Sequence, residues 1–185
     1  TFAENFTNEG GVGHTIRFLK NISGLWILQE TRRQWVWEGE NISFKDIDRM
    51  LLTEKSADVY IDPDYEPFGK PGRMVEKINE FLSGTSQPLP ATKGQTALCI
   101  LESLAMTYRY YTENLEKLLG RRIDVIHLIG GGVKDVNLCR FTASVTGRKV
   151  TAGPVEATAM GNIAVQLIAL GVVRDVSEAR GLSDD

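Results

Sequence analysis

Three consecutive glycines, Gly130, Gly131 and Gly132, are the residues of this sequence with the clearest capacity to hold a ligand. They follow an apolar run at 125–129, which predicts a buried strand. Residues 134–146 come next, and their apolar positions have helical spacing. Main chain without Cβ atoms allows close approach, and the amides that open a helix attract anions or polar ligand groups. This order predicts either a ligand cradle or only a tight connection between a strand and a helix.

The other chemically versatile residues do not form a self-contained catalytic set. His14 falls in a predicted hairpin turn, and His127 lies among apolar strand residues, which favours a hydrogen-bonded core imidazole over a base or ligand. Cys99 and Cys139 lack the spacing of a metal site, so we expect buried thiols in a reducing, cytoplasmic compartment. The motifs of serine hydrolases, P-loop proteins and complete dinucleotide-binding turns are absent from the sequence. We therefore predict no catalytic residue and no metal site in this chain.

The composition excludes several classes of protein. The 185 residues are 42% apolar and 24% charged, values that argue against disorder and against a membrane span. The net charge of −3 gives no basic surface for nucleic acid, so neither nucleic acid nor membrane is an expected partner. The length suits a single domain. Because the chain starts at Thr1 without a methionine, in a β-rich region, we expect it to be a fragment of a longer protein.

The elements that position the glycines follow from hydrophobic periodicity and turn residues. A hairpin is predicted with arms at 2–7 and 15–19 around a glycine-rich turn. Amphipathic spacing, capping residues and closing glycines predict six helices and two further strands. The helices are expected at 22–37, 43–54, 74–82, 92–119, 134–146 and 153–170, and the strands at 124–129 and 149–152. This alternation predicts an α/β fold, a mixed sheet with helices packed on it.

Two groups of motifs carry a resemblance to a known family. The glycine turn and the segments after it resemble the C-terminal signature of the FGGY carbohydrate kinases. Residues near the start of the chain are similar to those members of the family that phosphorylate L-rhamnulose. The first group comprises Gly130-Gly131-Gly132, Phe141-Thr142-Ala143-Ser144-Val145-Thr146-Gly147-Arg148 and Gly153-Pro154-Val155-Glu156; the second comprises Asn5-Phe6-Thr7-Asn8-Glu9-Gly10-Gly11, Gly24-Leu25-Trp26 and Gln29-Glu30.

The resemblance implies an actin-like ATPase fold of the ribonuclease H type, in which two domains enclose a cleft. Residues 1–185 would be the C-terminal, nucleotide-binding domain, and the N-terminal domain would be absent. Such enzymes transfer the γ-phosphoryl group of ATP, with Mg²⁺ bound mainly through the nucleotide, to a sugar hydroxyl, here the 1-hydroxyl of L-rhamnulose. The implied partners are thus ATP, a small sugar and the N-terminal domain. Because the family's catalytic aspartate lies upstream of Thr1, the fragment alone is expected to be inactive.

The resemblance also implies roles for individual residues. Gly131 would contact ATP, and Gly130 and Gly132 would let the main chain approach it. Gln29 matches a second ATP contact and Asn21 matches a sugar contact, roles that suit side-chain amides because they both donate and accept hydrogen bonds. Equally open alternatives are that Asn21 is a helix N-cap and that Gln29 is only an exposed helix residue.

The sequence departs from the family pattern at two positions, and two alternative functions remain open. Asp135 stands where relatives often have asparagine, which affects the expected contact on the adenine side, and His14 replaces a commonly small residue. The first alternative function is another FGGY kinase, acting on a pentulose, fuculose or glycerol. The second is a non-catalytic actin-like nucleotide-binding module.

Overall fold

The computed structural model describes residues 6–181 and shows an α/β protein that begins with a hairpin. Strand β1 (Thr7–Gly10) pairs antiparallel with β2 (Ile16–Leu19), and a 3-10 turn at Val12–His14 joins them. The hairpin was predicted, but its first strand lies later than the predicted arm at 2–7, of which residues 2–5 lie outside the described part. His14 lies in the turn, as predicted, with a left-handed φ of 61°.

Seven α-helices follow in the described residues, and capping residues explain most of their boundaries. Ser43 and Asp46 form a capping box at the start of α2, and the Thr92 hydroxyl accepts from the Gln95 amide at the start of α4. The predicted helix at 22–37 begins only at Trp26, because Gly24 has a φ of 53° and interrupts the helical path. The helices are α1 (Trp26–Trp37), α2 (Phe44–Thr53), α3 (Met74–Gly84), α4 (Lys93–Leu119), α5 (Val136–Thr146), α6 (Ala157–Ala169) and α7 (Val176–Gly181).

The hydrophobic core lies around the first half of α4, which packs against α1, α2 and α5. Burying this much apolar side chain is the main force that orders the helical layer. Its fully buried members include Ile27, Phe68, Met74, Ile78, Leu82, Ile100, Leu101 and Leu104. The long helix is therefore central, as its sequence predicted.

The sheet differs from the prediction. Strand β3 (Val125–Leu128) pairs in parallel with β4 (Lys149–Ala152), and this pair is separate from the β1–β2 hairpin. The expectation of a single mixed sheet is therefore wrong for residues 6–181, because no strand in this part of the chain joins the two pairs. The expected burial of β3 is also wrong, since Ile129 at its end is 61% exposed.

An ion pair fastens the β3–β4 unit to the end of α4. Arg148, in the turn before β4, donates to Glu116 at 2.5 Å and to the carbonyl of Ile123 at 3.0 Å. Glu116 also accepts from the Ile123 amide at 2.6 Å. These bonds, the Arg148 contact above all, lower the pKa of the Glu116 carboxyl. The strand that precedes the glycines is thereby held against the central helix.

The last helices are less well covered than the rest. No residue of α6 is buried, although its sequence carries no charged side chain. Helix α7, which was not predicted, packs beside it. Within residues 6–181, every helix is either too short or too polar to cross a lipid bilayer.

Candidate functional site

Gly130 turns the chain at the end of β3. It has φ 78° and ψ −165°, a conformation available essentially to glycine alone. Its amide donates to the carbonyl of Pro154 at 3.0 Å, and the Gly153 amide donates to the carbonyl of Leu128 at 2.7 Å. The bend therefore depends on hydrogen bonds to the segment that leads into α6.

Gly131 and Gly132 leave open space beside the main chain. They begin a 3-10 turn, Gly131–Lys134, that leads into α5. A Cβ atom built on Gly131 would meet no atom within 4 Å, and one on Gly132 would meet only the Leu25 side chain at 3.9 Å. Other protein atoms thus do not cover the main chain at these two glycines. A ligand cradle requires such uncovered main chain.

A first cavity, of about 260 Å³, opens between this turn and helices α1 and α2. Apolar side chains of the two helices form its walls, and carboxylates, an amide and an ammonium group lie among them. Its lining residues are Leu25, Leu28, Gln29, Phe44, Ile47, Asp48, Gly131, Lys134 and Asp135.

A second cavity, of about 280 Å³, also borders the turn. Gln29 and Gly131 line both cavities, although they come from distant parts of the sequence. Leu25 also lines both, and the second cavity is completed by Tyr108, Leu128, Ile129, Gly132 and Leu138. The structure therefore brings together two of the predicted nucleotide contacts. Gln29 is exposed on α1, as its alternative interpretation also expected.

Asp135 stands at the junction of the first cavity and α5. Its carboxylate accepts from the Leu138 amide at 2.9 Å and so caps the helix. Burial raises the pKa of the Asp135 carboxyl, and the negative charge of Asp48 across the cavity raises it further. Asp48 in turn accepts from the side-chain amide of Asn137 at 3.1 Å. Two carboxylates thus give this wall strong hydrogen-bond acceptors.

Phe44 is a cavity residue that the sequence did not reveal. Its helical spacing placed it on the inward face of α2, but the ring is 47% exposed at the cavity. The Arg32 guanidinium lies over the ring, 4.8 Å from its centroid, and the Arg32 Nε atom is buried with no hydrogen-bond partner. The arrangement presents an aromatic surface backed by a cation, which suits a planar ligand group.

Asn21 and His127 lie elsewhere. Asn21 is exposed in the connection between β2 and α1 and lines neither cavity, so it is not gathered with the glycines. It is not the N-cap of α1 either, because that position is Leu25. His127 is exposed and its Nδ1 atom lies 2.8 Å from the Thr151 hydroxyl, so the prediction of a core imidazole is wrong.

The described residues offer no metal centre of their own. Among residues 6–181, histidine, cysteine, aspartate and glutamate nowhere form a group of three or more able to hold an ion. Asp48 and Asp135 are the only carboxylates among the residues that line the first cavity. The donor set suits Mg²⁺ only as an ion carried by a phosphate ligand, since Mg²⁺ needs about six oxygen ligands.

Comparison with known proteins gives a consistent family signal. The model of the "FGGY family of carbohydrate kinases, C-terminal domain" matches residues 1–170. Rhamnulokinase from Bacteroides thetaiotaomicron is 44% identical over 98% of the chain, and rhamnulokinase from Bacillus subtilis is 38% identical over 95%. Rhamnulokinase from Enterococcus faecalis is also 38% identical, over 97% of the chain.

The match covers only part of each relative. The chain spans 37% of the length of the Bacteroides protein and 36% of each of the other two. The similarity therefore describes one domain of a longer polypeptide in these relatives.

Proposed function

Because the chain belongs to the FGGY family of carbohydrate kinases, we propose that residues 1–185 are the C-terminal, nucleotide-binding domain of an ATP-dependent sugar kinase. The observation that carries the proposal is the convergence of Gly131 and Gln29 on the same two cavities. An open main chain supplies amides for phosphate oxygens, and a side-chain amide supplies both donors and acceptors.

We assign the adenosine moiety of ATP to the first cavity. Its apolar walls suit a base and a ribose, and its volume lies near the lower end of small-molecule sites, roughly 300–1,000 Å³. The exposed Phe44 ring offers a stacking surface for the base. Gly130 and Gly132 lie on either side of the proposed contact at Gly131. Gly130 fixes the bend of the main chain, and Gly132 keeps the second cavity open.

We propose L-rhamnulose as the sugar and its 1-hydroxyl as the group that is phosphorylated. The names of the similar proteins support this substrate, and Asn21, with an exposed side-chain amide, is the proposed sugar contact. Asn21 lies outside both cavities, as expected if sugar and nucleotide approach from different sides. Pentulose, fuculose and glycerol are the competing substrates.

In the proposed reaction the sugar oxygen forms a bond to the γ-phosphorus of ATP while the bond to the β-phosphate oxygen breaks and ADP leaves. This chain's residues bind and orient the nucleotide, which is most of what phosphoryl transfer asks of a protein. Mg²⁺, bound mainly through the nucleotide, would neutralise charge on the phosphates. We assign the base that takes the hydroxyl proton to the proposed N-terminal domain of the longer polypeptide. We also propose an actin-like ATPase fold, which the order of a hairpin, four helices, a strand, a helix, a strand and two helices supports.

We place the enzyme in the cytoplasm, since Cys99 and Cys139 are free thiols, as a reducing compartment favours. A non-catalytic nucleotide-binding role is the alternative, and activity of the longer polypeptide decides between them.

The test is an ADP-release assay on the longer polypeptide with L-rhamnulose, a pentulose, fuculose and glycerol. We expect the highest kcat/KM for L-rhamnulose and no turnover by the 185-residue chain alone. Preference for another sugar would change the substrate but keep the kinase. Absence of turnover with every sugar, despite nucleotide binding, would favour the non-catalytic alternative, and turnover by the isolated chain would refute the assignment of the base.

A further inference from the structure

Helix α1 has two faces with different partners. One face lines the first cavity through Leu25, Leu28 and Gln29. The other face carries three side chains with hydrogen-bonding groups, which recur at every fourth position and are Trp26, Glu30 and Gln34. At about 100° per residue, the middle of this second group lies roughly opposite the middle of the first. We call these three residues the α1 row.

Each member of the α1 row bonds to the main chain of the segment at 68–75. The three bonds join Trp26 Nε1 to the Phe68 carbonyl at 3.0 Å, the Gly72 amide to the Glu30 carboxylate at 3.3 Å, and the Val75 amide to Gln34 Oε1 at 3.0 Å. A main-chain partner cannot move away without moving its whole segment. The row therefore fixes the rotation of α1 and its height along its own axis.

The segment at 68–75 is itself firmly held. Phe68 and Met74 are fully buried in the core. Gly72 and Arg73 both have left-handed φ angles, of 78° and 51°, and these turn the main chain so that the Gly72 amide points at Glu30. A left-handed conformation is unfavourable for arginine and persists only where neighbouring contacts hold it. The bond between Gly72 and Glu30 thus joins α1 to a bend that the fold maintains against its local preference.

Glu30 is the member of the row that depends most on its partners. Its side chain is 1% exposed, and a buried carboxylate is stable only where it is paired and hydrogen-bonded. It also pairs with the Arg33 guanidinium, whose side chain is 47% exposed and so remains in contact with water. Glu30 lines neither of the two cavities at the glycine turn. Any effect of Glu30 on a ligand there must therefore pass through α1.

We propose that Glu30 is a positioning residue for nucleotide binding: its bond to Gly72 holds α1 so that Gln29 lies beside Gly131. The inference rests on the proposed function, because Gln29 and Gly131 contact a nucleotide only if the cavities at the turn hold one. Among residues 6–181 the Gln29 side chain has no hydrogen-bond partner, so the helix alone sets where it stands. A helix moves as a unit, and a shift on the Glu30 face displaces the Gln29 face with it.

The test is calorimetric titration of ATP into the longer polypeptide with Glu30→Met or Glu30→Gln. Methionine fills a similar space but offers no acceptor for the Gly72 amide, whereas glutamine keeps an acceptor oxygen. We expect the Kd for ATP to rise by about tenfold in Glu30→Met and by at most about threefold in Glu30→Gln. Equal losses in the two variants would overturn the proposal, because the acceptor would then not matter.

Ser103→Ala is the matched control for a purely structural effect. Ser103 is also 1% exposed, and its hydroxyl accepts from the Ile61 amide at 2.9 Å, but it lies on α4 and lines neither cavity at the turn. We expect this variant to lower Tm and to leave the Kd for ATP within about twofold. A tenfold loss of affinity in Ser103→Ala would show that lost stability alone weakens binding, and would overturn the positioning role.

A double-mutant cycle tests whether Glu30 acts through Gln29. Once Gln29→Ala has removed the side chain to be positioned, adding Glu30→Met should weaken ATP binding by less than about twofold. Effects that multiply in the double variant would overturn the proposal. If Glu30→Met does not fold, Glu30→Asp replaces it in both measurements with the same expected loss, because its shorter side chain withdraws the carboxylate from Gly72.

The same titrations separate this proposal from the proposed function. If the unsubstituted protein binds ATP and Glu30→Met binds it equally well, the positioning role is refuted and the nucleotide site stands. If the unsubstituted protein does not bind ATP, both are refuted.

Discussion

Gly130 and Gly131 are adjacent, but only Gly130 needs a backbone conformation that favours glycine. Replacing each by alanine therefore distinguishes an effect on stability from an effect on ligand binding. Gly130 has φ 78° and ψ −165°, in the region where a non-glycine residue costs about 1–3 kcal/mol. A Cβ atom there would approach only the Val155 carbonyl, at 4.0 Å, so the cost is one of backbone conformation and not of collision. We therefore expect Gly130→Ala to lower the free energy of unfolding by about 1–3 kcal/mol.

Gly131 has no such conformational requirement. Its φ lies outside the left-handed region, and a Cβ atom would meet no protein atom within 4 Å. Replacing it by alanine should leave stability unchanged or raise it by up to about 1 kcal/mol, because the unfolded chain loses entropy. The added methyl group, however, would occupy the space through which the proposed nucleotide reaches the main chain. We expect ATP affinity to fall by at least about tenfold, or about 1.4 kcal/mol.

The assay is urea unfolding together with calorimetric titration of ATP, both on the longer polypeptide. The matched pair removes the ambiguity of a single glycine substitution, since each variant gains the same methyl group one residue apart. If Gly131→Ala binds ATP as tightly as the unsubstituted protein, the cradle assignment is refuted. If it unfolds as easily as Gly130→Ala, the conformational argument is wrong.

Three further outcomes follow from the site and the core. Phe44→Ala should weaken ATP binding by about 1–3 kcal/mol through lost stacking, whereas Leu52→Ala on the same helix should not; equal affinities in titration would exclude stacking. Burial raises the pKa of Asp135, so the folded protein holds that proton more tightly than the unfolded chain, and ionisation as pH rises destabilises the fold. Asp135→Asn should therefore raise Tm at pH 7. The difference in Tm between the variant and the unsubstituted protein should shrink as the pH falls toward 3.8, the ordinary pKa of aspartate, and a constant difference in Tm across that range would contradict this. Burial also raises the pKa of the Cys99 thiol to about 12, so iodoacetamide at pH 8 should modify the half-buried Cys139 first, as mass spectrometry of timed samples can show.

Helix boundaries were predictable from sequence wherever a local residue sets them. Ser43, Thr92, Gly120 and Gly147 cap or end helices through bonds and dihedral angles within one turn, and the structure confirms all four. The start of α1 was missed because a left-handed Gly24 gives no periodic signal.

Burial was less predictable than periodicity. Spacing shows which side chains share a face but not what covers that face. Helical spacing predicts that Phe44 faces inward, yet its ring lines a cavity. The apolar run around His127 predicts a buried strand, yet the imidazole is exposed. Only the family resemblance assigned Gly131 and Gln29 to the same ligand. The packing that brings α1 next to the glycine turn has no local sequence signal.

The hydrogen bonds between the glycine turn and the segment before α6 link two regions that serve different purposes. Gly153 packs so close to the end of β3 that a Cβ atom on it would lie 2.8 Å from the Ile129 side chain. The two segments therefore have little space to move relative to each other. Because these bonds join α6 to the glycine turn, we expect a displacement of α6 to shift the turn at the proposed phosphate site, and ligand binding at the turn to shift α6. Substitutions far from any bound molecule, at positions 153–155, should accordingly alter affinity without touching the ligand.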